Sequence, residues 1–484
     1  MENSQGDAVL VSDVKYEEEI FIPQQKNNLK NSKGGYFMID NEQGPNSNKS
    51  ISSRPKYLKD ILLIYFILTF FLMYNILFAI FIPGMFTNYV NFKYPNLSEK
   101  EIQSKSSHLK SIADAAPLCM VFFFGPLLGG LSDKYGRKKI LLFQIILIAI
   151  DVSSAFISFK TNSIIFFYIG HTICGLTGCV GSTILSSISD LTTIEERPKV
   201  FSWGGVAMGV GFIGGPLLSA LAMKLNVLAP IYFIYFTIAV MLVLLYLLKE
   251  SIYLGEKGKA IVKTTFNPFK AIARLFKSSL FVALVAGLYV IFAFASDDLL
   301  STMYYYTEVR YNWSPEKNAY YIAYLGVVIV VYSSLIIPFA LKYLSERAVI
   351  STALFMNGIA HIIFAFASNQ YIWIVSGLFG GFPTVILMII VSIISKSTPP
   401  EIQGTILNGV ASVGSLTALA GTLFSQNIFA YFISSNAPIY FPGAHFLIDS
   451  IPIFLTFLGS ILIWKFYPAK QMDKGFQKVQ IQEE

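Results

Sequence analysis

Charge is what this sequence has least of. Asp, Glu, Lys and Arg make up 13% of its 484 residues, about half the share of an ordinary soluble domain, which excludes a water-soluble globule. Cysteine is nearly absent too. Cys119, Cys174 and Cys179 all fall in apolar runs, which speaks against a disulfide framework or a metal site. The apolar runs themselves lack Lys and Arg except at their edges, where Lys110, Lys139 and Lys465 fall. The net charge of +7 is therefore carried by segments along one membrane face. A nucleic-acid partner, which needs basic residues gathered in one patch, is excluded.

What the chain has instead is hydrophobic length. Hydrophobic residues reach 54%, and runs long enough to cross a roughly 30 Å hydrocarbon core recur at 60–84, 110–131, 139–159, 163–190, 200–223, 228–248, 279–304, 319–341, 348–367, 371–395, 404–432 and 446–467. The expected fold is all-α and integral to the membrane, with twelve transmembrane helices in two six-helix bundles, 60–248 and 279–467. A polar linker, 249–278, separates the bundles, and 1–59 and 468–484 are tails. With the amino terminus in the cytoplasm, 28 of the 36 Lys and Arg fall on the cytoplasmic side and eight on the other, as the positive-inside rule requires. Both tails are then cytoplasmic. The polar stretch from Met1 to Lys59 reads as disordered and leaves the first span to act as the membrane signal. The loop at 85–109 holds Asn96-Leu97-Ser98, a glycan acceptor pattern in a eukaryotic chain. The plasma membrane and a vacuolar or lysosomal membrane remain equal alternatives.

The two bundles also look like repeats of each other. The segment from Ser187 to Pro216 lies in register with that from Ile393 to Thr422, so that Glu195 falls on Glu401. The same type of loop joins the same helices in each half, which points to a six-plus-six pseudo-repeat.

Between the second and third spans runs "GGLSDKYGRKK", a glycine-bounded turn with basic anchors at Arg137, Lys138 and Lys139. The order of Gly129, Leu131, Asp133, Lys134, Gly136, Arg137 and Lys138 resembles the signature of the major facilitator superfamily. That resemblance implies a central cavity between two bundles and alternating access by their rocking. It also implies that Gly129, Asp133, Gly136, Arg137 and Lys138 belong to a cytoplasmic gate. Asp190 and Glu195, at the cytoplasmic end of the fourth span, belong with them. In the fifth span, Gly211, Gly215 and Pro216 match a motif of twelve-span drug:proton antiporters. Gly204, Ala207, Gly211, Gly215, Ser219 and Ala222 share one helix face, which serves either close packing or a hinge.

One ionisable residue sits deep in an apolar run. His171, in "YIGHTICGLTG", shares a face with Gly175, Gly178 and Ser182, while Ile169, Ile173, Leu176, Val180 and Ile184 form the opposite, lipid-suited face. In the antiporter branch, and in relatives of the proton-coupled folate transporter, this position usually holds arginine. Histidine titrates in the physiological range and arginine does not. Ionisable groups inside spans are functional candidates by default. The proton-coupling candidates are therefore His171, Asp114 and one of Asp297 and Asp298, with Asn75 as a substrate-cavity candidate. Asp151 and His361 lie on spans that are peripheral in this superfamily, and a packing or hydrogen-bonding role is expected for each.

With His171 the sole basic side chain within the spans, a dianion lacks a counter-charge. A neutral or cationic, partly apolar solute is favoured. The expected activity is secondary transport of a small organic solute across the bilayer, by a chain acting as a monomer. No enzyme activity and no cofactor is expected; the proton gradient supplies the energy. Export by antiport stands slightly ahead of symport resembling the folate-transporter relatives. A non-transporting sensor on the same fold is the third reading.

Overall fold

The computed structural model describes residues 57–178, 180–192, 197–251, 267–296, 298–398 and 400–468. The helices that carry the fold are α1 (Leu58–Lys93), α2 (Glu99–Tyr135), α3 (Arg137–Thr161), α4 (Ile165–Leu191), α5 (Arg197–Leu225) and α6 (Ala229–Leu247). A short linker helix, Pro268–Ser278, leads into α7 (Leu280–Tyr311), α8 (Pro315–Tyr343), α9 (Glu346–Phe366), α10 (Gln370–Lys396), α11 (Pro400–Ile433) and α12 (Ala444–Phe466). Among the described residues, eleven helical segments are long and apolar enough to cross a membrane. The expected second span lies within α2, a continuous helix of 37 residues. The all-α, twelve-helix architecture is the one expected.

Local chemistry sets several boundaries. The Ser98 hydroxyl accepts from the Glu101 amide while the Glu101 carboxylate accepts from the Ser98 amide, a capping box that satisfies two orphan donors. It starts α2 at Glu99, eleven residues before the apolar run. Lys110 is therefore inside a helix, and it is buried. The expectation that no such basic residue lies within the bundle is corrected on this point. Asn162 ends α3 in the left-handed conformation, with φ 50°, which asparagine tolerates.

The fourth helix of each half is broken by a glycine-bearing 3₁₀ turn, Gly175–Thr177 in α4 and Gly377–Gly381 in α10. The tighter turn rotates the faces of the helix beyond it. Ile169 and Ile173 face outward as expected, but Val180 and Ile184 are buried in the core and Ser182 is exposed. The single lipid-facing stripe drawn through α4 is corrected accordingly. A side chain at Gly175 would collide with the Pro117 carbonyl, so the break presses α4 onto α2.

Separate apolar cores fill the α1–α6 half and the α7–α12 half. In lipid, helices gain little from burying apolar surface and associate by close packing. Gly211 meets Leu72 and Gly215 meets Ile76, so the small-residue face of α5 is buried against α1. Between the halves, α2 runs along α11 and α5 along α8. Hydrogen bonds join α2 and α11 near the amino-terminal end of α2. Ser104 donates to the Ala430 carbonyl at 2.6 Å, Asn427 donates to Ser111 at 3.1 Å, and His108 pairs with Asn427.

Candidate functional site

Two neighbouring cavities hold the candidate residues. The first, of about 290 Å³, lies largely within the α1–α6 half and is lined by Asn75, Lys110, Asp114, Asp151, His171 and Cys174 among others. The second, of about 220 Å³, lies between the halves; Ala79 and Leu300 line both.

In the first cavity, Asp151 is fully buried. Its carboxylate accepts from His171 Nδ1 at 2.9 and 3.0 Å and from the Tyr74 hydroxyl at 3.2 Å. The imidazole stacks on Phe167, with ring centroids 4.7 Å apart. A buried carboxylate needs such donors, because an unpaired charge in an apolar interior is very costly. The sequence groups His171 with Asp114 and one of Asp297 and Asp298, and gives Asp151 a packing or hydrogen-bonding role. The geometry makes that hydrogen bond the one to His171.

Asp114 has different partners. Its carboxylate accepts from Lys110, one helical turn earlier, and from Gln426 Nε2 of α11 at 2.6 Å. The Lys110 ammonium also donates to the Ser301 carbonyl of α7 at 3.4 Å. One ion pair thus ties α2 to both α11 and α7. It also places a second basic group in the cavity, and the charge argument against anionic solutes, which assumed His171 alone, no longer holds. Asn75 donates to the Phe71 carbonyl of its own helix at 2.8 Å and remains exposed. Asp297 and the Asp298 side chain lie outside the described residues; their neighbours Ser296, Leu299 and Leu300 line the cavity between the halves.

That second cavity is walled by Ile76, Ile80, Phe212 and Met303, with Ser296, Asn318, Tyr304, Asn357 and His361 as its polar residues. His361 and Asn357 belong to α9, expected to be peripheral, and the cavity-facing position of His361 corrects that placement. A helical spacing of four and then three residues puts Asn357, His361 and Phe364 on one face.

The turn between α2 and α3 is held by ion pairs and caps. Gly136 has φ +101°, and a Cβ there would sit 2.5 Å from Glu250 Oε2, so only glycine fits. Glu250 accepts from the Arg137 amide at 2.8 Å and the Lys138 amide at 3.2 Å, capping α3. Lys138 Nζ returns the favour to α6, donating to the Tyr246 and Leu248 carbonyls at 3.1 and 2.6 Å. Both contacts complement the helix dipoles. The Arg137 guanidinium donates to Asp190 at 3.1 Å and to Ser132 at 2.6 Å. Gly129 faces open space, and the Asp133 side chain and Glu195 lie outside the described residues. Sequence reasoning missed Glu250, whose position just beyond α6 gave no local signal. Asn96 is exposed in the turn before α2.

Comparison with known proteins agrees with this architecture. Residues 61–348 match the profile of the Major Facilitator Superfamily. The class H tetracycline resistance protein of Pasteurella multocida is 27% identical over 342 residues, covering 69% of this chain and 81% of that protein. The hippocampus abundant transcript-like protein 1 of Bos taurus is 20% identical over 362 residues, or 71% of each chain. Among solved structures, a D-xylose-proton symporter superposes with a TM-score of 0.64 at 18% identity, over 86% of this chain and 99% of that one. The human organic anion transporter MFSD10 gives 0.61 at 18% identity, over 84% of this chain and 100% of that one. With the profile spanning more than half of its length and the twelve-helix fold in place, this multi-pass membrane chain belongs to the Major Facilitator Superfamily of transporters.

Proposed function

We propose that the chain exchanges a small, largely apolar organic solute for protons, with the solute in the cavity between the halves and the proton on the groups of the adjoining pocket. The observation that carries this reading is the division of chemistry between two adjoining cavities. The cavity between the halves is walled mainly by apolar side chains, whereas the pocket beside it holds Asp151, His171, Asp114 and Lys110. A histidine–carboxylate pair can take up and release a proton within the physiological range. Asp114 couples the same pocket to the opposite half through Gln426, so a change of charge there acts on the contact that must part when the bundles rock. Asp297 or Asp298, beside the lining residue Ser296, completes the proton-bearing set. With the basic loops in the cytoplasm, the hydrogen-bonded α2–α11 end faces away from it and closes that side of the cavity. Gly129, Asp133, Gly136, Arg137 and Lys138 then form the cytoplasmic gate, with Gly211, Gly215 and Pro216 holding α5 to α1 as the halves move. Relatives named for tetracycline resistance favour export by antiport over symport.

The test is purified chain in sealed vesicles with an imposed pH gradient and labelled tetracycline beside a panel of neutral, cationic and anionic aromatic solutes. Antiport requires accumulation when the vesicle interior is acid. Accumulation with an alkaline interior would establish symport instead, and saturable binding without any flux would make the protein a sensor.

A further inference from the structure

We propose that the Asn357 carboxamide is the polar anchor of the cavity between the halves and selects solutes that combine an apolar ring system with a carbonyl-type hydrogen-bond acceptor. This deepens the solute-cavity reading and rests on it. Asn357 is 2% exposed, and its Nδ2 has no hydrogen-bond partner among the described residues. A carboxamide nitrogen carries two donor hydrogens and cannot shed them. A buried donor left unmet is costly in any protein, and more so where no bulk water reaches it. The same residue lines the cavity, on the face of α9 it shares with His361 and Phe364. Opposite it stand apolar walls from α1 and α5, including Ile76, Ile80 and Phe212. Tyr304, whose hydroxyl is a second donor, lines the same space. A ligand that fills the apolar volume and presents an acceptor to Asn357 satisfies the orphan donor and excludes water at once. A pure hydrocarbon of the same shape fills the volume but leaves the donor unmet. Sites of this kind discriminate strongly against analogues lacking the matching group.

The probes are 2-acetylnaphthalene and 2-ethylnaphthalene, similar in shape and differing in the carbonyl. Equilibrium binding of each to the purified full chain, at equal pH and without a gradient, is expected to favour the acetyl compound by about tenfold. In Asn357→Leu that preference should vanish and 2-ethylnaphthalene should bind more tightly than to wild type, because no donor is left unmet beside it, which also shows that the variant is folded. Independently of any variant, the infrared carbonyl band of bound 2-acetylnaphthalene should lie at lower frequency than in hydrocarbon solvent. Equal affinity for the two probes, an unshifted band, a preference that survives Asn357→Leu, or no binding of either probe would each overturn the proposal. Because no gradient is present, loss of proton coupling leaves this result untouched. Flux without acetyl preference would refute the anchor and leave transport standing.

Discussion

Replacing Asp151 by Asn should separate transport from the gradient that drives it. The carboxylate is fully buried and holds two donors, His171 Nδ1 at 2.9 Å and the Tyr74 hydroxyl at 3.2 Å. Asparagine keeps nearly the same volume and one acceptor oxygen, so the cavity should survive. What it loses is the charge on the hydrogen bond to the imidazole, worth about 1–1.5 kcal/mol as the difference between a charged and a neutral bond. In a proton-coupled cycle that free energy corresponds to a fall of roughly 5- to 13-fold in gradient-driven accumulation. Exchange of labelled for unlabelled solute at equal pH moves no net proton and should stay within about twofold of wild type. The pair of assays on the same vesicles distinguishes uncoupling from misfolding, which would abolish both. Gradient-driven accumulation at the wild-type level, with an unaltered pH profile, would show that this pair carries no transported proton.

Four further outcomes follow from the same geometry. Gly136→Ala forces a left-handed alanine at a cost of about 1–2 kcal/mol and displaces the Glu250 cap for about 1 more; thermal unfolding should register the sum, and Glu250→Gln alone should register the smaller part. Asp114→Asn and Gln426→Leu, combined in a double-mutant cycle, should show a coupling of about 0.5–3 kcal/mol, whereas additive effects would mean that the cross-half bond is idle. At Gly326 a Cβ would lie 2.7 Å from the Phe212 carbonyl, so Gly326→Leu should part α5 from α8 and abolish flux while leaving the chain in the membrane. If the chain passes through the secretory pathway of a eukaryotic cell, Asn96→Gln should remove a glycan seen as a shift in gel mobility, and an unchanged mobility would show that the acceptor is unused.

Much of the architecture was legible because lipid imposes a simple rule, that each span must be apolar for about 20 residues. The site was harder to read, for two particular reasons. Hydropathy placed Lys110 at the edge of the second span, whereas the Ser98 and Glu101 capping box starts the helix at Glu99 and carries Lys110 into the bundle. That box was readable in the sequence, four residues long and local. The partner of His171 was not, because pairing across helices depends on rotation and depth, and the 3₁₀ turn at Gly175–Thr177 alters the rotation of α4. Treating the third and ninth helices as peripheral hid both Asp151 and the Asn357, His361 pair. A glycine-broken fourth helix in each half lets neighbours approach where a regular helix would stand in the way.

The Glu250 cap has a consequence for how the protein is made. Gly136 offers no side chain to the first amides of α3, and the carboxylate that serves them lies beyond α6. While the chain emerges from the ribosome, that helix end stays open until the sixth helix has been inserted. Lys138 likewise waits for the carbonyls of Tyr246 and Leu248. The cytoplasmic ends of α3 and α6 are therefore fastened to each other only after Glu250 has left the ribosome, later than the packing of α3 on α4 requires. A chain arrested before Glu250 emerges would hold inserted helices whose cytoplasmic seam is still unfastened, a natural point for quality control to intervene.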